Sequence, residues 1–268
     1  VTDQRDRREV GLIRPNPKTI LNLPSAVTGV ESLIKIFVGS NNELTSQYSV
    51  RGGSYDENLI YVNDFEVFRP YLVRSGQQEG LSFINSDLVS SLLFSAGGFE
   101  AKYGDKMSSV LDLQYKKPYE FGGSASISLL GASFHIEGTA LDKKFTYLLG
   151  VRYKTNQYLL KGLETQGDYK PSFLDVQALL TYDISKKVEI SVLGNIADNK
   201  YRFVPESRET DFGTVSDARR LMVYFDGQEV DAYKTYLAAA TVTYKPNNTT
   251  RLKLIASGYN SDESESYD

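Results

Sequence analysis

"FTYLLGVRYK", residues 145–154, decides the fold class. Its odd positions, Phe145, Tyr147, Leu149, Val151 and Tyr153, are all apolar or aromatic, whereas the even ones are Thr146, Leu148, Gly150, Arg152 and Lys154. A period of two is that of a β-strand, whose successive side chains point to opposite faces. Leu148 is the one exception on the wet face. Val188, Ile190, Val192 and Ile196 oppose Glu189, Ser191 and Asn195 in the same manner. Strands with one oily and one wet face fit two architectures. In a soluble β-sandwich, such as a carbohydrate-binding domain, the oily face is the core; in an outer-membrane barrel it faces lipid.

The connections favour the barrel. Asp142-Lys143-Lys144, Ser185-Lys186-Lys187 and Pro246-Asn247-Asn248 are tight turns, and between them lie the long segments Lys161 to Ser172 and Pro205 to Lys234. Short turns on one rim and long loops on the other are the habit of outer-membrane barrels. Tyr236 and Tyr244 share a face with Ala238, Ala240 and Val242 between them. Eight residues at ~3.3 Å give about 26 Å of strand, which after tilting by ~40° matches the band between two aromatic girdles. Seven strands are expected, at about 122–131, 133–141, 145–158, 173–183, 187–204, 235–245 and 250–265, the division at Gly131 being the weakest. Lipid does not tolerate two open edges, and single-chain bacterial barrels have even strand counts. The chain is therefore expected to be part of a longer protein.

Composition sets outer limits. The 268 residues include 19 Tyr and 13 Phe but no Trp, with mean hydropathy −0.33, as in a β-rich, aromatic-rich chain. Thirty bases against 34 acids, without a basic block, disfavour nucleic acid as a partner. With no Cys there are neither disulfides nor thiolate metal sites. No run approaches 18 apolar residues, so no helix spans a bilayer. One histidine, His135, no nucleophile elbow, no phosphate loop and no zinc-binding helix argue against an enzyme, and no catalytic, metal or cofactor residue is assigned. The acidic tail Asp262 to Asp268 lacks the spacing of a calcium loop.

Before Lys117 the texture is mixed. Val27, Val30, Leu33, Ile34 and Phe37 recur at three and four residues and predict an amphipathic helix over Ala26 to Phe37. Short β-runs follow at Gln47 to Val50, Leu59 to Val62, Val89 to Ala96 and Val110 to Tyr115, giving a small α+β domain. Within it, Arg51-Gly52-Gly53 reads first as a turn between strands.

Three runs of this half together resemble the plug domain of TonB-dependent outer-membrane receptors, most closely those of Bacteroidota type. They are Tyr48-Ser-Val50-Arg51-Gly-Gly, Leu59-Ile-Tyr61-Val62-Asn63-Asp64, and Phe94-Ser-Ala96-Gly97-Gly98-Phe99 continuing through Tyr103-Gly104 to Leu113. The resemblance covers roughly residues 20 to 117, and the remainder is similar to the first strands of that family's barrel. It implies a plug domain at 1–117 and the N-terminal part of the transmembrane barrel at 118–268. It further implies a 22-stranded barrel around the plug, with about fifteen strands beyond Asp268. Two departures stand out: Ile36-Phe37-Val38-Gly39 replaces the usual Leu-Pro-Gly-Val after the plug helix, and no TonB box is identifiable.

The function implied by the resemblance is import of a nutrient ligand (siderophore, glycan or peptide) through the outer membrane, energised by TonB, with a surface lipoprotein as a further partner. The alternative is a non-transporting barrel that serves as a structural or assembly partner. Carried over, Arg51 is a lock residue pairing with carboxylates of the barrel wall, for which Glu137 and Glu189 are candidates, while Gly52 and Gly53 let backbone pass close to that wall. Arg69, Tyr71 and Arg74 lie on an apical plug loop and are the candidates for touching an anionic or sugar-like ligand.

Overall fold

The computed structural model describes residues 12–15, 29–38, 47–68, 70, 81–105, 107–155, 157–160, 167–214 and 217–267. The seven expected strands are present as one antiparallel sheet. In chain order they are β6 (Gly122–Ser128), β7 (Gly131–Ala140), β8 (Phe145–Lys154), β10 (Ser172–Ser185), β11 (Val188–Pro205), β14 (Glu229–Tyr244) and β15 (Leu252–Tyr267). Each pairs with its sequence neighbour, and a short β9 (Gly167–Tyr169) adds to the outer end of β11. Gly131 does divide the first two strands: its φ is +150°, and a Cβ there would lie 2.1 Å from the Tyr153 carbonyl oxygen. One expectation fails inside the long segment after Pro205. Read as loop, it carries a hairpin of β12 (Arg208–Thr214) and β13 (Asp217–Val223). Charged residues there obscure any oily face, so periodicity gave no signal.

The apolar face of this sheet is not its core. Exposed residues include Phe134, Tyr153, Leu174, Leu180, Tyr182, Val192, Ile196, Tyr236, Val242 and Tyr244, all from the oily register. The pairing aligns them into cross-strand rows such as Val151–Val176–Ile196–Tyr236 and Phe145–Tyr182–Ile190–Val242. The wet face is the buried one, because the small domain lies against it. This reversal speaks against the soluble sandwich, in which oily faces meet.

The small domain has a five-stranded sheet in the order β1-β4-β5-β2-β3, from β1 (Leu12–Ile13), β2 (Asn58–Val62), β3 (Phe65–Glu66), β4 (Val89–Ser95) and β5 (Ser109–Tyr115). Helix α1 spans Val30–Val38. Val30, Leu33 and Ile34 are buried as the helical spacing requires, but Phe37 is 46% exposed, so the apolar stripe is shorter than expected. Gln47 to Val50, expected as a strand, forms no ladder, although Tyr48 and Val50 are buried in the core. The turn between β2 and β3 has φ of 50° and 69° at Asn63 and Asp64, the left-handed pair that tight hairpins need.

One apolar core joins the two parts. It includes Val30, Leu33, Phe94, Leu111 and Leu113 of the small domain with Leu148, Leu179, Leu193, Leu237 and Ala239 of the large sheet. Leu148, the lone apolar residue of the wet face of β8, is explained here. Register places it opposite Leu179, which faces Leu193, which faces Ala239, so an apolar belt crosses the polar face where the small domain sits.

Candidate functional site

The next rows of the wet face supply a polar clamp. Arg152 and Asp175 are direct cross-strand partners on β8 and β10, and Gln177 lies opposite both Gly150 and Asn195. Such pairing brings side chains to ~5 Å on one face. Arg152 Nη2 and Nε donate to Asp175 Oδ1 at 2.8 and 3.0 Å. The remaining guanidinium donors leave the wall: Nη1 reaches the Ile84 carbonyl at 2.6 Å and Nη2 the Ser82 carbonyl at 2.9 Å, both in the small domain. Asp175 Oδ2 accepts from Asn195 Nδ2 at 2.6 Å and Gln177 Nε2 at 3.3 Å. Gln177 also donates to the Phe83 carbonyl and accepts from the Tyr115 hydroxyl at 2.7 Å. Arg152 and Asp175 side chains are 12% and 4% exposed. A planar fork of donors suits this double task, holding a carboxylate on one side and carbonyls on the other.

Two small-domain groups respond to this environment. Burial pushes the Glu31 carboxyl above its ordinary value, opposed by the Ser82 hydroxyl, Arg152 and Lys35. Burial likewise raises the Tyr115 phenol, keeping it neutral as a donor to Gln177.

A second set of contacts anchors the segment that joins the two sheets. Lys117 Nζ lies 2.6 Å from Glu189 and 3.3 Å from Asp183, while Lys116 Nζ lies 3.6 Å from Glu137. His135 continues that chain, with Nε2 2.9 Å from Glu137 Oε2 and Nδ1 3.2 Å from Ser124 Oγ. Lys253 of β15 pairs with Asp64 at the β2–β3 turn.

Of the residues singled out from sequence, Arg51, Gly52 and Gly53 lie apart from this clamp. Arg51 is exposed, with φ 50° in the turn that Gly53 N closes onto the Val50 carbonyl at 2.9 Å. Among the described residues it has no carboxylate partner, and its two candidates, Glu137 and Glu189, pair with Lys116 and Lys117. Among the described residues, neither glycine lies against a strand of the large sheet. Gly52 needs its φ of +83° but has nothing within 4 Å of an added Cβ; at Gly53 that Cβ would meet Ser108 Oγ at 1.8 Å, within the small domain itself. Arg69, Tyr71 and Arg74 lie outside the described residues; nearby, Phe83 N donates to the Pro70 carbonyl at 3.1 Å. Arg152, Asp175, Gln177 and Asn195 were visible only as polar residues on wet faces, and nothing but the register reveals that they converge.

No protein-family model matches the chain, and no curated protein matches its sequence. Solved structures do match. The siderophore receptor PirA from Pseudomonas aeruginosa is 13% identical with a TM-score of 0.51, covering 96% of this chain and 49% of that one. The chain shares the fold of such receptors. PirA from Acinetobacter baumannii is 11% identical with a TM-score of 0.52, covering 98% of this chain and 49% of that one. A mutant of the ferric enterobactin receptor PfeA from Pseudomonas aeruginosa is 13% identical with a TM-score of 0.53, covering 98% of this chain and 46% of that one. The chain thus spans about half the length of these structures, and at such identities the likeness is one of fold.

Proposed function

We propose that the chain is the plug and first wall strands of a TonB-dependent outer-membrane receptor that imports a nutrient ligand. Residues 1–117 are the plug, and 118–268 begin a barrel whose wet face surrounds it. One observation carries this reading: a single sheet turns an apolar, tyrosine-bearing face outward while its polar face grips a separate small domain through Arg152. A soluble protein would leave that outer surface in water, whereas a bilayer covers it. The grip is polar and built from hydrogen bonds, so it can be exchanged for water one bond at a time when the plug is pulled. The apolar belt through Leu148, Leu179 and Leu193 resists the same motion.

Within this reading, Arg51 remains a lock residue for a wall carboxylate other than Glu137 or Glu189, and the loop holding Arg69, Tyr71 and Arg74 is the surface offered to ligand. The imported solute is of the siderophore, glycan or peptide type. The test is fractionation followed by uptake. The protein is expected in outer membranes, resistant to alkaline extraction, with ligand accumulation lost when the proton gradient is collapsed or TonB is deleted. Recovery in the soluble fraction would sink the barrel; membrane location with uptake indifferent to TonB would sink the transport step alone.

A further inference from the structure

Three short connections of the large sheet share one rim, and they are basic. Lys143 and Lys144 lie in the β7–β8 turn, Lys186 and Lys187 in the β10–β11 turn, and Lys245 and Arg251 bound the β14–β15 turn. Strand order sets these hairpins side by side, because β8 pairs with β10 and β11 with β14. Asp142 is the one carboxylate within the three turns. Asp183 and Glu189 stand just inside the rim, but both hold Lys117, and Glu189 also feels Lys245. Among the described residues, the other five cations make no ion pair. At its far end β15 instead carries Asp262, Glu263 and Glu265.

The outward face fixes the depth of these charges. Phe145 stands opposite Tyr182, and Tyr244 lies between Val188 and Leu252, so an aromatic row ends the oily face at this rim. Tyrosines in such a row settle at headgroup level in a bilayer. Lys144, Lys245 and Arg251 are the chain neighbours of Phe145, Tyr244 and Leu252, ~3.3 Å further along each strand. Their charges therefore reach phosphate depth while their stems cover the apolar edge. Between the second and third turns lies an open groove of about 810 Å³, lined by Lys186, Lys187, Lys245 and Arg251 with the hydroxyls of Thr249 and Thr250. Its two walls are pre-formed. Ser185 Oγ accepts from the Lys187 and Val188 amides at 3.2 and 3.1 Å, and Asn247 Oδ1 accepts from the Thr249 and Thr250 amides at 3.1 and 2.8 Å. Little backbone ordering is left to oppose binding.

We infer that this groove seats the phosphate headgroup of an anionic phospholipid, gripped by Lys186, Lys187 and Arg251 while its acyl chains lie on the outward face of β11 and β14. The inference rests on the barrel reading and adds a partner to it. In that reading the short-turn rim is the periplasmic one, so the lipid belongs to the inner leaflet. A free phosphate would meet only the charges, whereas a lipid also covers the apolar surface of Val188, Val242 and Tyr244 beside them. Held between two hairpins, the headgroup fixes the height of this part of the wall against a pull on the plug.

The test titrates the intact protein in a non-ionic detergent with short-chain phosphatidylglycerol, phosphatidylcholine or inorganic phosphate and counts bound adducts by native mass spectrometry. Lys186→Gln with Lys187→Gln removes two charges from exposed turn positions, and Arg251→Gln removes one from the facing turn. Lys102→Gln makes the same change on the small domain, where Lys102 lies over the Tyr103 ring, and serves as the control. Phosphatidylglycerol is expected to saturate first. Each basic side chain near an anionic surface is worth about fivefold in affinity, so binding should fall at least about tenfold in the double variant and about fivefold in Arg251→Gln, with no change in Lys102→Gln. Raising salt from about 0.05 to 0.5 M should weaken it as well. Equal binding of the two lipids, unchanged affinity in the double variant, or inorganic phosphate binding as tightly as phosphatidylglycerol each overturns the inference. A protein that fractionates with the outer membrane yet fails here loses the headgroup site alone, whereas recovery in the soluble fraction removes the barrel itself.

Discussion

Replacing Arg152 with Met keeps most of the side-chain stem and removes the guanidinium. Asp175, 4% exposed, is then left with only the Asn195 and Gln177 amides, while the Ser82 and Ile84 carbonyls lose their donors. Breaking a buried ion pair from one side costs about 3–5 kcal/mol, and the loss falls on the seating of the small domain rather than on the sheet. The amides of Phe83 and Leu88, bonded to the Pro70 and Asn85 carbonyls, report on that segment. At 1.4 kcal/mol per decade their exchange in Arg152→Met should quicken by roughly two to three and a half decades. Exchange in the middle of β10 and β11 should stay as in the parent protein. Adding Asp175→Leu removes the stranded carboxylate and should recover a large part of the loss, since apolar replacement of a buried pair is often close to neutral. Acceleration of less than about threefold in Arg152→Met, or a double variant no better than the single one, would refute the clamp.

Further outcomes follow from the buried acid of α1 and from the turn at Arg51. The folded state holds the Glu31 proton more tightly than the unfolded chain, so charged Glu31 opposes folding at high pH; this penalty fades as pH falls through the raised pKa and is gone below the ordinary value of 4.5. Glu31→Gln should therefore stabilise the protein more near pH 8 than near pH 5, and equal gains in unfolding midpoint at both would count against a buried, raised carboxyl. Gly52→Ala should cost about 1–2 kcal/mol, the price of a left-handed residue with free space around it. Gly53→Ala should lower the melting temperature further, because Ser108 Cβ itself lies 3.0 Å from the new methyl and the 2.6 Å bond from Ser108 to Glu57 is disturbed; the opposite order would refute this account of the turn.

The strands were legible because alternation is a local property: each of Phe145 to Tyr153 declares its face without reference to any other strand. Which face meets protein was not legible, since a sandwich core and a lipid surface impose the same period. The long and short connections tilted that choice, and the small domain on the wet face supports it in three dimensions. The site was read less well. Arg152 was noticed as one polar residue among others, and its role depends on standing opposite Asp175 and within reach of the 82–84 carbonyls, which lie about 70 residues away in sequence. Leu148 was seen as an exception and turned out to mark the belt under the small domain. Arg51 drew attention through a motif, yet local turn geometry and contact with Ser108 account for its two glycines.

The central claim is that the outward face of the large sheet lies in lipid. Its most direct test is a nitroxide scan of residues 236 to 244 of β14 in the intact protein reconstituted into bilayers, measuring accessibility to oxygen and to a water-soluble relaxation agent. The account predicts a period of two: Tyr236, Ala238, Ala240, Val242 and Tyr244 open to oxygen and closed to the aqueous agent, with Leu237, Ala239, Thr241 and Thr243 shielded from lipid by the small domain. High accessibility of the even positions to the aqueous agent, or oxygen access without alternation, would contradict it.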